Sequence, residues 1–357
     1  DLESLQTNSD GAIGCATAKQ RQASGAWTAI GIPAASQGTI LTNMCLTFFN
    51  NGFNQRLDHQ SSEETEWTGT IKAAYRWTPQ VMTYASYARG YKGGGFNLDR
   101  TQSSNGQQSG GPGLAPIHDT SFPAEFVDSY ELGMKNTLLD RTLLLNATLF
   151  HQTFSDFQLN AFLGTSFQVR PIPEVTSKGV DMDLLWFTPL DGLTLQGGLT
   201  YADTRYGDDK VPNDATNGNA LLPGSQLSYA PKWSGSASVG YERDVADSLL
   251  VRFNVGAKYM SEYSTGSDLL PMKLQKAYTL VNARIGFGDR DERWMVELWA
   301  NNLFDKDYFQ VAFNGPLQGS SGLSAANATY DPARDTITYD AIYGAPRTIG
   351  ATLRARF

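Results

Sequence analysis

The amino-acid sequence predicts an all-β protein, an antiparallel β-barrel that spans a membrane. Three patterns predict this fold: apolar and polar side chains alternate in segments of about ten residues, the connections between segments are alternately short and long, and aromatic residues gather at the segment ends. Together they describe strands that run up and down between two watery compartments.

The alternation is clearest between Trp67 and Trp77. Apolar side chains such as Ile71 and Tyr75 occupy one face, and polar ones such as Lys72 occupy the other. Because successive side chains of a strand point to opposite faces, the pattern indicates a strand with one apolar and one polar surface. From Trp67 onward the sequence predicts eleven strands, at 67–77, 81–91, 126–137, 142–155, 179–186, 193–201, 233–241, 249–259, 278–287, 294–300 and 349–357.

The predicted connections differ in length in a regular way. Short turns are expected near 78–80, 138–142, 188–192, 243–248 and 288–293, and long connections at 92–125, 156–174, 207–228, 260–277 and 303–345. Barrels of the outer-membrane type have short periplasmic turns and long outer loops. A soluble β-sandwich has no reason to alternate in this way, so the pattern favours the membrane barrel.

Aromatic residues lie near both ends of the predicted strands. Trp77, Trp186, Tyr241, Phe287, Trp294 and Phe357 are beside short turns, and Trp67, Tyr91, Tyr201, Tyr229 and Tyr259 are beside long connections. Ten residues at about 3.3 Å each, tilted by about 40°, span about 25 Å of height, which is the apolar band of such barrels. Aromatics packed in an ordinary core would explain the strand propensity but not two belts.

Charge and hydropathy exclude other classes of protein. The chain carries 28 basic and 36 acidic residues, a net charge of −8, which argues against a nucleic-acid surface. Apolar stretches such as 184–187 are far too short for a membrane-spanning helix. The first residues show neither a basic nor an apolar leader segment, so we expect a mature or truncated product.

The two cysteines, Cys15 and Cys45, lie in a polar stretch rich in Gly, Ser and Asn. They are either two buried thiols or a disulfide that braces a loop. A stretch of this composition is a poor core, which favours the disulfide and an oxidising compartment.

Residues 1–66 are predicted to be an extracellular loop region that contains at most one strand, and residues 67–357 to be the barrel strands. Eleven strands that end on the periplasmic side place the N-terminal region outside, whereas bacterial single-chain barrels have an even number of strands. Either a twelfth strand lies near Leu41 to Phe49, or the chain is the C-terminal part of a longer barrel. We favour the second interpretation.

Five motifs in order resemble the C-terminal half of a TonB-dependent outer-membrane receptor: YASYARGYKGGGFN from Tyr84, SYELGMKNTLLDRTLLLNATLFHQTFSDFQ from Ser129, SKGVDMDLLW from Ser177, WMVELWANNLFDKDYF from Trp294 and GAPRTIGATLRARF from Gly344. The resemblance implies the last eleven strands of a 22-stranded barrel. It also implies a plug domain absent from this chain, coupling to the TonB energy complex, and a terminal Phe357 that the barrel-assembly machinery reads.

The resemblance implies uptake of a scarce nutrient, either siderophore-bound iron, cobalamin or an oligosaccharide, and outer-membrane lipid as the surroundings. Residues near the outer strand ends offer hydrogen bonds and stacking faces to a sugar or an iron chelate. The candidate ligand-binding residues are Arg89, Tyr91, Lys92, Asn97, Arg205 and Tyr206. A passive porin complete within this chain is the alternative, and an outer-membrane enzyme is a weaker third.

Catalytic and metal chemistry have little support in the sequence. Asp181 and Asp183 lie on one face, about 6.6 Å apart, but lumen-facing acids balanced by Lys178, Arg252 and Lys258 explain them better than a glycosidase pair. The three histidines are scattered, and Asp208, Asp209 and Asp214 lack the calcium-loop spacing. We therefore predict no enzyme activity, no cofactor and no metal.

Overall fold

The computed structural model describes residues 1–6, 13–45, 51–98, 117–162, 167–208, 219–246, 248–291, 293–315, 318–319, 321–324 and 329–356. The chain forms two compact units. The first comprises Asp1–Glu66, Gly93–Ala124 and Ser166–Val169, and the second comprises Trp67–Lys92, Glu125–Thr165 and Arg170–Phe357.

The second unit is built on one antiparallel sheet of eleven strands, in which each strand pairs with the next one along the chain. We label them β1 Gly69–Thr78, β2 Val81–Lys92, β3 Glu125–Leu138, β4 Leu143–Phe162, β5 Phe167–Phe187, β6 Leu193–Tyr206, β7 Trp233–Ala246, β8 Leu249–Met260, β9 Tyr278–Asp289, β10 Trp294–Asn301 and β11 Thr348–Ala355. The eleven strands that the alternation predicts are the eleven strands of this sheet, and the all-β antiparallel fold class is confirmed.

The register gives the sheet one apolar and one polar face. In β8, Val251, Phe253 and Val255 are opposite Phe287, Ile285 and Ala283 of β9, and these side chains share the apolar face. Large apolar side chains there stay uncovered, for example Leu132 at 57% and Leu298 at 56% exposure. Such a surface would be very unfavourable in water, so a lipid solvent accounts for it.

Aromatic side chains mark both ends of the apolar face. Tyr201 and Trp233 form a pair at the end with the long connections, with ring centroids 4.7 Å apart, and Phe287 and Trp294 form one at the short-turn end, 5.8 Å apart. Phe357 lies outside the described residues, so its assembly role stays a prediction.

One predicted connection is wrong. The sequence predicts a long loop at 156–174, but β4 and β5 are 20 and 21 residues long and leave only 163–166 between them. About 9 to 11 residues cross a membrane, so both strands continue well beyond it. Their outer parts pack into a small apolar cluster of Leu159, Ile172, Val175, Tyr206 and Leu222. Burial of these side chains stabilises the outer parts of β4 and β5, which the polar and proline-containing sequence there does not predict as strands.

Short ribbons and turns occupy the long connections of the second unit. The ribbons pair Tyr263–Ser264 with Leu274–Gln275, Phe309–Asn314 with Tyr339–Tyr343, and Leu323–Ser324 with Thr329–Tyr330. The 3-10 turns of this unit are Asn219–Leu221, Pro271–Lys273 and Pro332–Arg334.

Among its described residues the first unit contains three helices, which the sequence interpretation as a loop region does not foresee. They are α1 Ile13–Ala23, α2 Ala26–Ala29 and α3 Ala34–Met44, and the 3-10 turn Asn51–Phe53 follows them. Ribbons join Leu2–Gln6 to Arg56–Gln60 and Gly95–Phe96 to Ser121–Phe122. The extracellular position of this region stays a prediction.

The strand considered at Leu41 to Phe49 is not formed over 41–44, where α3 continues, and 46–50 lie outside the described residues. Cys15 in α1 and Cys45 after α3 form a disulfide, with their Cα atoms 4.4 Å apart. The bond joins the two longer helices of the unit. Within the described residues, none of the helices has the length and apolar character needed to cross a membrane.

Candidate functional site

The polar face of the sheet carries the best candidate site. Alternate residues of β2 to β6 line a shallow depression of about 350 Å³, formed by Tyr84, Glu131, Thr148, Phe150, Gln152, Ser177, Asp181 and Thr200. The side chain of each of these residues points to the polar face of the sheet. The site therefore follows from the alternation of apolar and polar residues along each strand. Hydroxyl, amide and carboxylate groups dominate this surface.

Tyr84 is the best-fixed side chain in the depression. Its hydroxyl lies 3.1 Å from the Thr148 hydroxyl and donates to Glu131 Oε2 at 3.4 Å, while Lys72 Nζ lies 3.9 Å from the ring centroid. The ring crosses Gly133, where a Cβ atom would come within 2.3 Å of it. A glycine at this position therefore allows the ring to lie flat across the sheet.

The two acids predicted to face the lumen do lie on the polar face. Thr200 Oγ1 donates to Asp181 Oδ1 at 2.6 Å, and Asn146 Nδ2 donates to Asp183 Oδ2 at 2.9 Å. The predicted balancing role of Lys178 is wrong, because the register places Lys178 opposite Asp203 on the other face. The depression is thus bordered by carboxylates held by neutral donors.

A second polar group lies nearer the short turns. Arg252 Nε donates to Glu242 Oε2 at 2.5 Å. Glu297, only 7% exposed, lies between Arg354 at 3.3 Å and Arg284 at 3.8 Å. These ion pairs join β7 to β8, and β10 to β9 and β11, on the polar face, and they lie outside the strands that line the depression.

Arg89 and Tyr91 do not lie on this polar surface. Arg89 is paired with Gly69 and Asp128, and Tyr91 with Phe126, which places both on the apolar face. Arg89 Nη1 is 3.1 Å from Asp128 Oδ2, and its guanidinium carbon is 4.9 Å from the Phe126 ring centroid. The small residues of β2 leave its phase undecided in the sequence, and the neighbouring strands decide it.

The other predicted ligand-binding residues mostly have structural partners. Tyr206 is 1% exposed in the apolar cluster, and its hydroxyl is 3.0 Å from that of Ser228. Arg205 Nε donates to Asp203 at 2.9 Å. The Asn97 amide exchanges two hydrogen bonds with the Val169 backbone, at 2.7 and 3.0 Å.

Lys92 is the remaining candidate, exposed at the end of β2 and in phase with the polar face. The structure therefore does not bring the six predicted residues together as one polar surface. Sequence reasoning missed Tyr84 and Glu131, although both belong to the motifs quoted above. For Glu131 the usable signal was the strand phase, because it alternates with the apolar Tyr130 and Leu132 of β3. For Tyr84 the sequence holds no such signal, because pairing with the neighbouring strands sets the phase of β2.

The groups that line the depression can bind a polar molecule through hydrogen bonds. Across the part of the chain that the structure describes, no three His, Cys, Asp or Glu side chains are arranged to hold a metal ion. A polar ligand that passes along this wall would meet alternating donors and acceptors.

Comparisons with known proteins agree with this architecture. The family model described as "TonB dependent receptor-like, beta-barrel" matches residues 47–303. The "Pesticin receptor" of Yersinia pestis is 24% identical over 272 residues, which cover 76% of this chain and 35% of that protein.

Solved structures show the same fold. The ferric yersiniabactin uptake receptor FyuA from Yersinia pestis superposes with a TM-score of 0.63 at 19% identity, over 85% of this chain and 39% of that one. The siderophore receptor PiuA from Acinetobacter baumannii gives 0.53 at 18% identity, over 80% and 35%. This chain thus spans little more than a third of the length of each of these proteins. It belongs to the TonB-dependent receptor β-barrel family of the bacterial outer membrane.

Proposed function

We propose that this chain is the C-terminal half of the barrel of an outer-membrane receptor that takes up a scarce nutrient by energy coupling. Its eleven strands would be the last eleven of 22. The observation that carries the proposal is the eleven-stranded sheet, with one apolar face and with β1 and β11 each paired to a single neighbour among the described residues.

The two edge strands of this sheet, β1 and β11, support the proposal that further strands complete the barrel. An edge strand in lipid leaves backbone N–H and C=O groups without partners, at a cost of several kcal/mol each. Pairing β1 with β11 would satisfy them, but it would give a barrel with an odd number of strands, whereas bacterial single-chain barrels have even numbers. Eleven further strands satisfy both edges and give an even count.

We further propose a ferric siderophore as the nutrient class, ahead of cobalamin and oligosaccharides. The printed descriptions of FyuA and PiuA, ferric yersiniabactin uptake receptor and siderophore receptor, support this choice. The polar depression around Tyr84 and Glu131, with Lys92 at the strand end, would contact the chelate during passage. A plug domain elsewhere in the protein would couple release to the TonB complex, and the protein would not act as an enzyme.

Uptake of radioactive iron in the source bacterium tests the proposal. Deletion of the gene should abolish energy-dependent accumulation of at least one ⁵⁵Fe–siderophore, and deletion of the TonB gene should do the same. Glu131→Gln in the depression should lower uptake, whereas Glu242→Gln, outside it, should leave uptake unchanged. Uptake of small solutes that persists without TonB would instead support the passive porin and overturn the receptor proposal.

A further inference from the structure

Two phenols and a carboxylate converge in the long connection between β10 and β11. Tyr330 and Tyr339 both donate their hydroxyl groups to Oδ2 of Asp335, at 2.6 and 2.5 Å. Hydrogen bonding to Asp335 raises the pKa of Tyr330, and the Tyr339 hydroxyl offsets part of that effect, so the two phenols also lie near each other. We call the three oxygen atoms of Tyr330, Asp335 and Tyr339 the oxygen triangle.

The backbone of the connection holds the oxygen triangle in place. Tyr330 ends a short ribbon, Asp335 follows a 3-10 turn, and Tyr339 begins a strand. That strand pairs with Phe309–Asn314. Oδ1 of Asp335 accepts a hydrogen bond from the Ile337 amide at 3.1 Å, which orients the carboxylate and leaves Oδ2 to the phenols. The three groups are therefore positioned by local structure before any ligand arrives.

The oxygen triangle can be reached from water. Its three side chains are half-buried rather than fully enclosed. A cavity of about 580 Å³ lies on the same connection, and residues adjacent in sequence to the triangle line it, among them Thr329, Asp331 and Arg334. A small ion in solution therefore has a route to the three oxygen atoms.

Neighbouring charges cancel in pairs. Lys273 and Asp268, which act electrostatically on Asp335 and Tyr339, form an ion pair with Nζ 2.6 Å from Oδ2. The Asp335 carboxylate thus gives the oxygen triangle one negative charge. Deprotonation of both phenols would make three, which a trivalent cation balances and a divalent cation does not.

The geometry of the oxygen triangle suits a small, hard cation. Oxygen ligands about 2.0 Å from a metal and at right angles to each other lie about 2.8 Å apart. The distances from Asp335 Oδ2 to the two phenol oxygens, 2.6 and 2.5 Å, need to increase by only a few tenths of an ångström. Tyrosine is an iron ligand in haem proteins, and a bound metal deprotonates its ligands. The ion that matches this size, charge and ligand set is Fe³⁺.

We propose that Tyr330, Asp335 and Tyr339 bind a ferric ion directly, with water or a small anion in its remaining positions. Each phenol loses its proton to water as its oxygen bonds to iron, so two protons are released and no electron is transferred. The carboxylate that holds these protons in the free site then bonds to iron instead. This site goes beyond the proposed uptake of chelated iron and does not depend on it. The sequence prediction of no metal was based on histidines and aspartates and does not cover phenols.

Visible absorption of the intact, purified receptor tests the proposal. The metal-free protein is titrated with ferric nitrilotriacetate in the absence of any siderophore, and a tyrosinate-to-iron charge-transfer band should grow until one equivalent has bound. Tyr330→Phe with Tyr339→Phe should abolish the band. Each single variant retains one phenolate and should give a weaker band. Its iron affinity should fall by about 100-fold or more, because loss of a residue behind a metal ligand already costs about 10- to 100-fold.

Tyr343→Phe is the matched control, because Tyr343 lies on the same strand as Tyr339 and is 64% exposed. It should leave the band unchanged. Ga³⁺, which has the same charge, should displace iron and remove the band, whereas Ca²⁺ should not. A wild-type protein without the band, or a double variant that keeps it, would overturn the proposal. Siderophore-dependent uptake is measured separately, so the failure of this site and the failure of the proposed function are distinguishable.

Discussion

Substitution of Tyr206 distinguishes most clearly between a ligand-binding role and a packing role for a predicted site residue. Its ring packs against Ile172, Val175 and Leu222, and its hydroxyl meets Ser228 at 3.0 Å. Tyr206→Phe removes one hydrogen bond, worth about 1 kcal/mol. Tyr206→Ala removes the whole ring and should cost about 3 to 5 kcal/mol of local stability.

Hydrogen exchange measures this cost directly. The Tyr206 amide donates to the Ser225 carbonyl at 3.0 Å, and the Leu227 amide donates to the Thr204 carbonyl at 2.9 Å. If the cluster opens locally, Tyr206→Ala should speed exchange over 219–228 by about two to three and a half powers of ten, and Tyr206→Phe by less than about tenfold.

Tyr259→Ala is the matched control, because Tyr259 is an exposed aromatic of the apolar face. It should leave exchange over 219–228 unchanged. Unchanged exchange in Tyr206→Ala, together with weaker nutrient binding in Tyr206→Phe, would refute the packing role and support the ligand-binding prediction.

Two further predictions concern the loops and the first unit. Burial opposes ionisation of Asp335, but hydroxyl donation from Tyr330 at 2.6 Å and from Tyr339 at 2.5 Å outweighs it and holds the Asp335 pKa below its usual range. A lowered folded-state pKa means that the carboxylate stabilises this loop above about pH 4 and that the stabilisation is lost as the pH falls through the folded value. Protection of the loop amides, which is their exchange rate relative to the intrinsic rate at the same pH, should therefore fall in acid in the wild type but be low at every pH in Asp335→Asn; an equal acid response in both would contradict this. Reduction of the Cys15–Cys45 disulfide, which closes a separation of 30 residues, should cost the first unit about 3 to 4 kcal/mol and expose α1 to protease, and undiminished protease resistance would contradict it.

The strands were predictable wherever their two faces meet different solvents. In β8, every second residue from Val251 to Tyr259 is apolar or aromatic because lipid lies on that side, so the alternation is visible in the sequence of this strand. In β2, Ala85, Ala88 and Gly90 suit either face, so the phase of Arg89 depends on pairing with β1 and β3, which no local pattern encodes.

The outer parts of β4 and β5 were hidden for another reason. Beyond the membrane both faces of a strand meet water or loops, so alternation no longer marks it, and Pro171 and Pro173 argue against a strand. Contacts of Ile172 and Val175 with Leu222, 47 residues or more along the chain, support these segments. The helices of the first unit were missed because their apolar residues are few and irregularly spaced.

The polar site was only partly predictable. Asp181 was identified on the correct face because its strand alternates strictly. Tyr84 and Glu131 come together with Thr148 only through the pairing of three strands, and the six residues chosen for their position near strand ends do not share one polar surface. Residues that line a lumen are identified better by first locating the lipid-facing positions of each strand and then taking the positions that alternate with them.

The most direct test of the lipid-facing and lumen-facing assignment is a spin-label scan along β8. Single cysteines replace residues 250 to 258 in turn, and each label is exposed to oxygen, which concentrates in lipid, and to a water-soluble nickel chelate. Labels at 251, 253, 255 and 257 should respond to oxygen, and labels at 252, 254 and 256 to nickel or to neither, with a period of two residues. A scan without that period, or with the opposite phase, would contradict a barrel wall between lipid and lumen.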